Sequence, residues 1–195
     1  LSELNRRTFL LVEYGVESIY DTTLQRINRG HTHAHTVDAI TRTAERGIKV
    51  GAHIILGLPG ESVDAMLREA SVLSSLPLTT LKLHQLQLIK GTRMAEEYFS
   101  NPSDFHLFSA DEYIDLVIDF VEHLRSDIIL ERFVSQSPSS LLAVEGWGLK
   151  NHEFVDKVRR RMDERDAYQG RLLIPSSSSA PSQTPSHIPV SPTRC

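Results

Sequence analysis

The sequence predicts an α/β fold on a parallel sheet, either an open sheet or half of a barrel. Three observations carry this. Strand-like and helix-like segments alternate over the first 171 residues. The helices between them are long enough to serve as crossovers, which strands running in one direction require. And residues 48–56 (IKVGAHIIL) are apolar almost throughout, as parallel strands covered on both faces tend to be. About four strands can be read, which is few for a closed barrel.

Residues 9–12 (FLLV) read as a short buried strand, and 21–28 as a helical turn or two capped by Asp21. Within 36–46 (TVDAITRTAER), Val37, Ile40 and Ala44 fall on one helical face and Gly47 supplies the stop. The apolar strand at 48–56 follows, and Ser62 then caps an amphipathic helix over 62–76. Residues 79–88 (TTLKLHQLQL) alternate: Leu81, Leu83, Gln85 and Gln87 point one way, Lys82, His84, Leu86 and Leu88 the other. Ser109 opens a longer helix to about 125, with a stripe of Tyr113, Leu116, Val117, Phe120 and Leu124. A last short strand covers 127–133, and a helix follows over 153–165 whose charged outer face reads as solvation. Near 172 the composition changes. Of the 21 residues in 175–195, 12 are Ser or Pro. Such a stretch buries too little apolar surface to offset the entropy of ordering it, so 172–195 is expected to be a disordered tail.

The chain has 195 residues, with 21 Lys+Arg against 25 Asp+Glu, and this balance does not favour nucleic acid as the default partner. Its single cysteine, Cys195, excludes a disulfide framework, a CxxC redox pair and a Cys-ligated metal site built by this chain alone. No apolar run approaches the roughly 18 residues a membrane helix needs, and no signal peptide opens the chain, so the expected address is the cytoplasm, with no membrane partner. The first residue is Leu, which suggests a piece of something longer.

Three segments place polar or glycine residues where strands end, the edge at which parallel α/β folds bind ligands. In 12–18 (VEYGVES), Glu13 and Glu17 offer carboxylates to ribose hydroxyls or an amine; taken alone they read as solvated loop charges. In 53–62 (HIILGLPGES) a strand runs into Gly57, Pro59 and Gly60 and then a helix start. Glycine lets the backbone approach a ligand, and free helix-start amides favour anions, but the GK[ST] ending of a P-loop is absent. In 82–92, Lys82, His84 and Leu86 share a strand face, with Lys90, Gly91 and Thr92 beyond it. The alternating His31, His33 and His35 would converge on a metal only on a strand, and here they lie in a polar loop before a helix.

Taken in order, VEYGVESI (12–19), TLQRINRGH (23–31), GIKV (47–50), HIILGLPGE (53–61), KLH (82–84) and KGT (90–92) resemble the second half of a radical S-adenosylmethionine (radical SAM) enzyme. The resemblance is to the YhcC-like subfamily, related to oxygen-independent coproporphyrinogen oxidase and to Elongator-type radical domains. WGLKN (147–151) and YQG (168–170) are similar to that subfamily's C-terminal extension. The resemblance implies the second half of a partial (β/α)6 TIM-like barrel over 1–135, an extension over 136–171 and the tail beyond. It implies a [4Fe–4S] cluster that cleaves S-adenosylmethionine to a 5′-deoxyadenosyl radical, which takes hydrogen from a substrate. By the family's pattern Glu17 and Arg29 hold the methionine moiety, His53 and Ile55 meet the adenosine before the Gly57 turn, and His84 and Leu86 give contacts to adenine. Relatives often carry aspartate or a similar residue where this chain has His53. The family's cluster-binding CxxxCxxC is absent, so this chain alone is expected neither to hold the cluster nor to turn over. A reductant protein such as flavodoxin or ferredoxin is implied as partner, and the substrate is unknown, with tRNA among the relatives' substrates. Two other readings stand beside this one: a metal-dependent hydrolase using His31, His33, His53 and His84, and a non-enzymatic binding module.

Overall fold

The computed structural model describes residues 1–173; the tail expected beyond them, with Cys195, lies outside the described residues. A short helix α1 (Ser2–Asn5) precedes β1 (Leu11–Glu17). Then come α2 (Asp21–Arg26), α3 (His33–Ala44), β2 (Lys49–Leu56), α4 (Val63–Ser75) and β3 (Thr80–Gln85). Helix α5 (Arg93–Ser100), α6 (Ala110–Glu122), β4 (Ile129–Arg132) and α7 (Asn151–Glu164) complete the described chain. The four strands form one parallel sheet in the order β1-β2-β3-β4.

The sheet has two chemically distinct faces because side chains alternate along a strand. One face carries Val16, Val50, Ala52, Ile54, Leu56, Leu81 and Leu83, all buried in a single core with Ile40 of α3, Met66 and Leu73 of α4, Tyr113, Val117 and Phe120 of α6, and Phe154 of α7. The other face presents Glu13, Gly15 and Glu17 from β1, Gly51, His53 and Ile55 from β2, and Lys82 and His84 from β3. Full burial of an aliphatic side chain contributes about 1.5–3 kcal/mol, so the apolar face holds the fold and leaves the polar face free for chemistry.

Several expectations need correction. The first strand starts at Leu11 and runs to Glu17, past the apolar run: pairing of Leu11 with Lys49 through Glu17 with Ile54 uses backbone groups and is indifferent to the polar side chains. Phe9, expected inside it, precedes it and is exposed. Strand β3 stops at Gln85: the Leu86 amide still donates to Leu56 O (3.0 Å), but Leu88 turns into a second small core with Ala95 and Phe105. Helix α5 was not expected. It is eight residues long, too short for periodicity to show, and Thr92 caps it by accepting from the Ala95 amide. The charged face of α7 is more than solvation, since Arg161 pairs with Asp115 of α6 (2.7 Å) and Arg165 with Asp119 and Glu122. No helix among the described residues is long and apolar enough to cross a membrane.

Candidate functional site

The polar face is organised across strands. Lys82 Nζ donates to Glu13 and lies 3.2 Å from Glu131 Oε2, so one cation joins the carboxylates of β1 and β4. The Lys82 hydrogen bond holds the Glu13 carboxyl below its ordinary range, against the effect of burial. Glu13 is therefore not the solvated loop charge that its segment alone implied. The reach from β1 to β3 passes over Gly51, where any Cβ would strike the Thr80 hydroxyl and come within 3.1 Å of the Glu13 side chain. His53 Nε2 sits 3.4 Å from Glu13 Oε1, and the His53 and His84 rings lie 5.3 Å apart. His84 Nδ1 is 2.5 Å from Ser135 Oγ. Burial, then His53, push the His84 imidazole down to about 4, so it is neutral at physiological pH.

Glu17 and Arg29 meet at the carboxyl end of β1. Glu17 has φ 62°, which turns the chain out of the strand, and its Oε1 is 3.5 Å from Arg29 Nη2. Arg29 is set between two left-handed residues, Asn28 (φ 56°) and Gly30 (φ 78°), and its Nη2 donates to Gly15 O at 2.7 Å. Its Nε is buried without a hydrogen-bond partner. Gly15 leaves room for the pair as placed: a Cβ would push aside the ends of both the Arg29 guanidinium and the Glu17 carboxylate. Burial raises the Glu17 carboxyl above its ordinary value, and the charge of Arg29 opposes that.

Beyond β2 the chain turns at Gly57 (φ 93°) and Gly60 (φ 88°), conformations that side-chain-bearing residues rarely adopt. A Cβ on Gly57 would stand 3.3 Å from the Phe108 ring. Ile55 is half-buried on the same strand face as His53. The Leu86 amide is committed to the sheet, and its side chain packs on the second core. The structure thus gathers Glu17 with Arg29 and His53 with His84, while Leu86 faces the second core.

The histidine run has another role. Helix α3 begins at His33 rather than at 36, with Thr32 and His35 forming a reciprocal capping box. Asp21, expected to cap its own helix, instead accepts from the His33 amide at 2.7 Å. Among the described residues no group of three or more His, Cys, Asp or Glu gathers as a metal site, so His31, His33, His53 and His84 do not assemble into a hydrolase centre.

A cavity of about 360 Å³ lies past the ends of β2 and β3, lined in part by Gln85, Gln87, Ser135, Phe108 and Trp147. Its polar wall is internally bonded: Gln85 Nε2 donates to Ser135 O (2.9 Å), the Ser135 amide to Gln85 Oε1 (2.6 Å), and Ser137 Oγ to Gln87 Oε1 (2.8 Å). Trp147 Nε1 donates to Phe108 O at 2.9 Å, fixing the apolar wall. Sequence reasoning placed no pocket here, because its two walls come from segments some 50 positions apart. The QLQ spacing at 85–87 was the one local signal.

Comparison with known proteins agrees with this architecture. The sequence pattern of the radical SAM superfamily matches residues 1–71, and that of the radical SAM C-terminal domain matches 78–164. The uncharacterized protein YtqA of Bacillus subtilis is 33% identical over 89% of this chain and 53% of its own length. A tRNA uridine(34) acetyltransferase of Methanocaldococcus infernus is 28% identical over 79% of this chain and 28% of its own. The chain spans about half the length of the first curated relatives it matches. The structure of the archaeal Elp3 of M. infernus with an N-terminal deletion superposes with a TM-score of 0.71 at 21% identity, covering 86% of this chain and 39% of that one, which is a likeness of fold. The chain belongs to the radical SAM superfamily, an enzyme family, and resembles its Elongator-like members.

Proposed function

We propose that this chain carries the S-adenosylmethionine-orienting part of a cytoplasmic radical SAM enzyme. The observation that supports this best is the Glu17–Arg29 pair. An α-amino acid presents an ammonium and a carboxylate a few ångströms apart, and a carboxylate beside a guanidinium is the complementary arrangement. The buried, unpartnered Arg29 Nε is a donor that a carboxylate oxygen satisfies. In this reading His53, Ile55 and Gly57 take the adenosine, and His84 and Leu86 border the adenine. Leu86 does so without its amide, which Leu56 O already occupies.

The chemistry that S-adenosylmethionine supplies in this family is radical generation by reductive cleavage at a [4Fe–4S] cluster. The single cysteine of this chain does not fit such a cluster, which needs three converging thiolates. The residues described act by binding and orientation. The cavity beside Ser135 is the place for the substrate, and tRNA is a candidate because a relative is a tRNA uridine(34) acetyltransferase. A small electron carrier such as flavodoxin or ferredoxin is the implied reductant. Residues 1–135 form the core unit in this reading and 136–171 its extension. A binding titration with S-adenosylmethionine on the intact, anaerobically reconstituted gene product tests it. Arg29→Ala is expected to weaken binding about tenfold or more, as loss of a charged hydrogen bond does, and Lys82→Ala much less. Equal losses, or no 5′-deoxyadenosine from the reconstituted protein, overturn the reading.

A further inference from the structure

Behind Glu17 lies a buried acidic cluster that neither binding nor the fold's apolar packing uses. Ser18 and Glu69 have no solvent exposure. The Ser18 hydroxyl donates to Glu61 Oε1 at 2.5 Å and accepts from the Tyr20 amide at 3.0 Å. The Ile19 amide donates to Glu69 Oε1, also at 3.0 Å. The two residues that follow Glu17 are therefore tied to two carboxyls, one from the turn after β2 and one from α4, and Tyr20 joins through the Ser18 hydroxyl. Each carboxyl also keeps one buried oxygen, Glu61 Oε2 and Glu69 Oε2, with no hydrogen-bond partner.

We propose that Glu61 and Glu69 hold one proton between them and act as a positioning pair for the turn that carries Glu17. Glu69 is fully buried and Glu61 half-buried, and both face the Ser18 hydroxyl; ionising both there sets like charges together in a poorly solvated site, which a single retained proton relieves. The groups that face them are the Ser18 and Thr23 hydroxyls and the Ile19 amide, none of them a cation. Arg26, which passes Gly60, is engaged with Glu97 (2.5 Å) and Asp104 (3.0 Å). Burial, and then the like charge of Glu61, push the Glu69 carboxyl up to about 8; burial raises Glu61 as well. Loss of the proton sets the like charges of buried Glu69 and half-buried Glu61 against each other beside Ser18 and loosens the turn at residues 17–20. The positioning of Glu17 toward S-adenosylmethionine rests on the function proposed above; the shared proton and the fixed turn do not.

Two measurements on the full chain, neither needing a ligand, test the pair. Infrared spectroscopy at pH 7 is expected to show the carbonyl band of a protonated carboxyl, absent from Glu69→Gln, in which the like charge facing Glu61 is gone. Exchange of the Ile19 amide, corrected for intrinsic base catalysis, is expected to be about tenfold faster in Glu69→Ala and near wild type in Glu69→Gln, whose side-chain oxygen still accepts the bond. Above pH 8 the wild type loses this protection and Glu69→Gln keeps it. A missing carboxyl band at pH 7, or the same pH profile for wild type and Glu69→Gln, overturns the proposal. Should Glu69→Ala fail to fold, the Glu69→Gln comparison decides alone. Failure to bind S-adenosylmethionine alongside an intact band and profile would fault the function and leave the pair standing.

Discussion

At the scale of single residues, space and charge at β1 are set by a glycine that needs no unusual φ. Gly15 lies where any Cβ would enter both the Arg29 guanidinium and the Glu17 carboxylate. Gly15→Ala is therefore expected to push the two side-chain ends apart and weaken S-adenosylmethionine binding about as much as Arg29→Ala, while stability changes little because both ends can swing aside. Urea unfolding together with the binding titration checks this, and unchanged binding would show that the pair is not the site. The contrast with Glu13 shows how far a sequence can be read at this scale. Glu17 and Arg29 sit in segments short enough to be compared with a family, and the two residues read together there stand 3.5 Å apart in the structure. The partners of Glu13 were not, because Lys82 lies 69 positions away and only the stacking of β1, β2 and β3 brings it within reach. For the same reason Glu61 passed unremarked: its significance comes from Ser18, 43 positions earlier.

At the scale of elements, strand β2 was legible throughout because its run is almost wholly apolar and flanked on both sides by strands, although only one of its faces is fully buried. Helices α4 and α6 began where Ser62 and Ser109 predicted, each side chain accepting an amide three residues on. Strand β1 was half legible, since the polar residues of its second half read as loop until parallel pairing claims them. The start of α3 was misread because His31, His33 and His35 read as a polar loop before a helix at 36, yet His35 closes a capping box with Thr32 and the helix starts at His33. If the run is structural, Thr32→Ala should destabilise the protein by about 1 kcal/mol, the usual size of a lost N-cap, whether or not zinc is present. Thermal unfolding with and without a chelator measures this; a chelator-sensitive midpoint would restore the metal reading.

At the scale of the whole molecule, the two faces of the sheet divide the work, and the division shows in how stability responds to pH. Groups buried on or beside the polar face have displaced protonation equilibria, and each displacement is a stability term. His84 falls from its ordinary 6.5 to about 4, so the folded protein binds fewer protons there than the unfolded chain. Its contribution is complete above pH 6.5 and is lost as pH falls toward 4. Glu69 rises from 4.5 to about 8, so the folded protein binds more protons there; its contribution is complete below pH 4.5 and is lost as pH rises toward 8. Between 4.5 and 6.5 the two slopes oppose each other, and above 6.5 the Glu69 slope, with the raised Glu17 and Glu61 acting in the same sense, is unopposed by His84. The urea midpoint of the wild type is therefore expected to fall from pH 6.5 to pH 8, and that of Glu69→Gln to fall less. In His84→Gln the opposing slope is reduced to that of His33, which burial also lowers, and the decline should begin at a lower pH than in the wild type. A wild-type midpoint that holds steady up to pH 8 would mean that Glu69 ionises without penalty, and that the interior behind Glu17 is far better solvated than its burial implies.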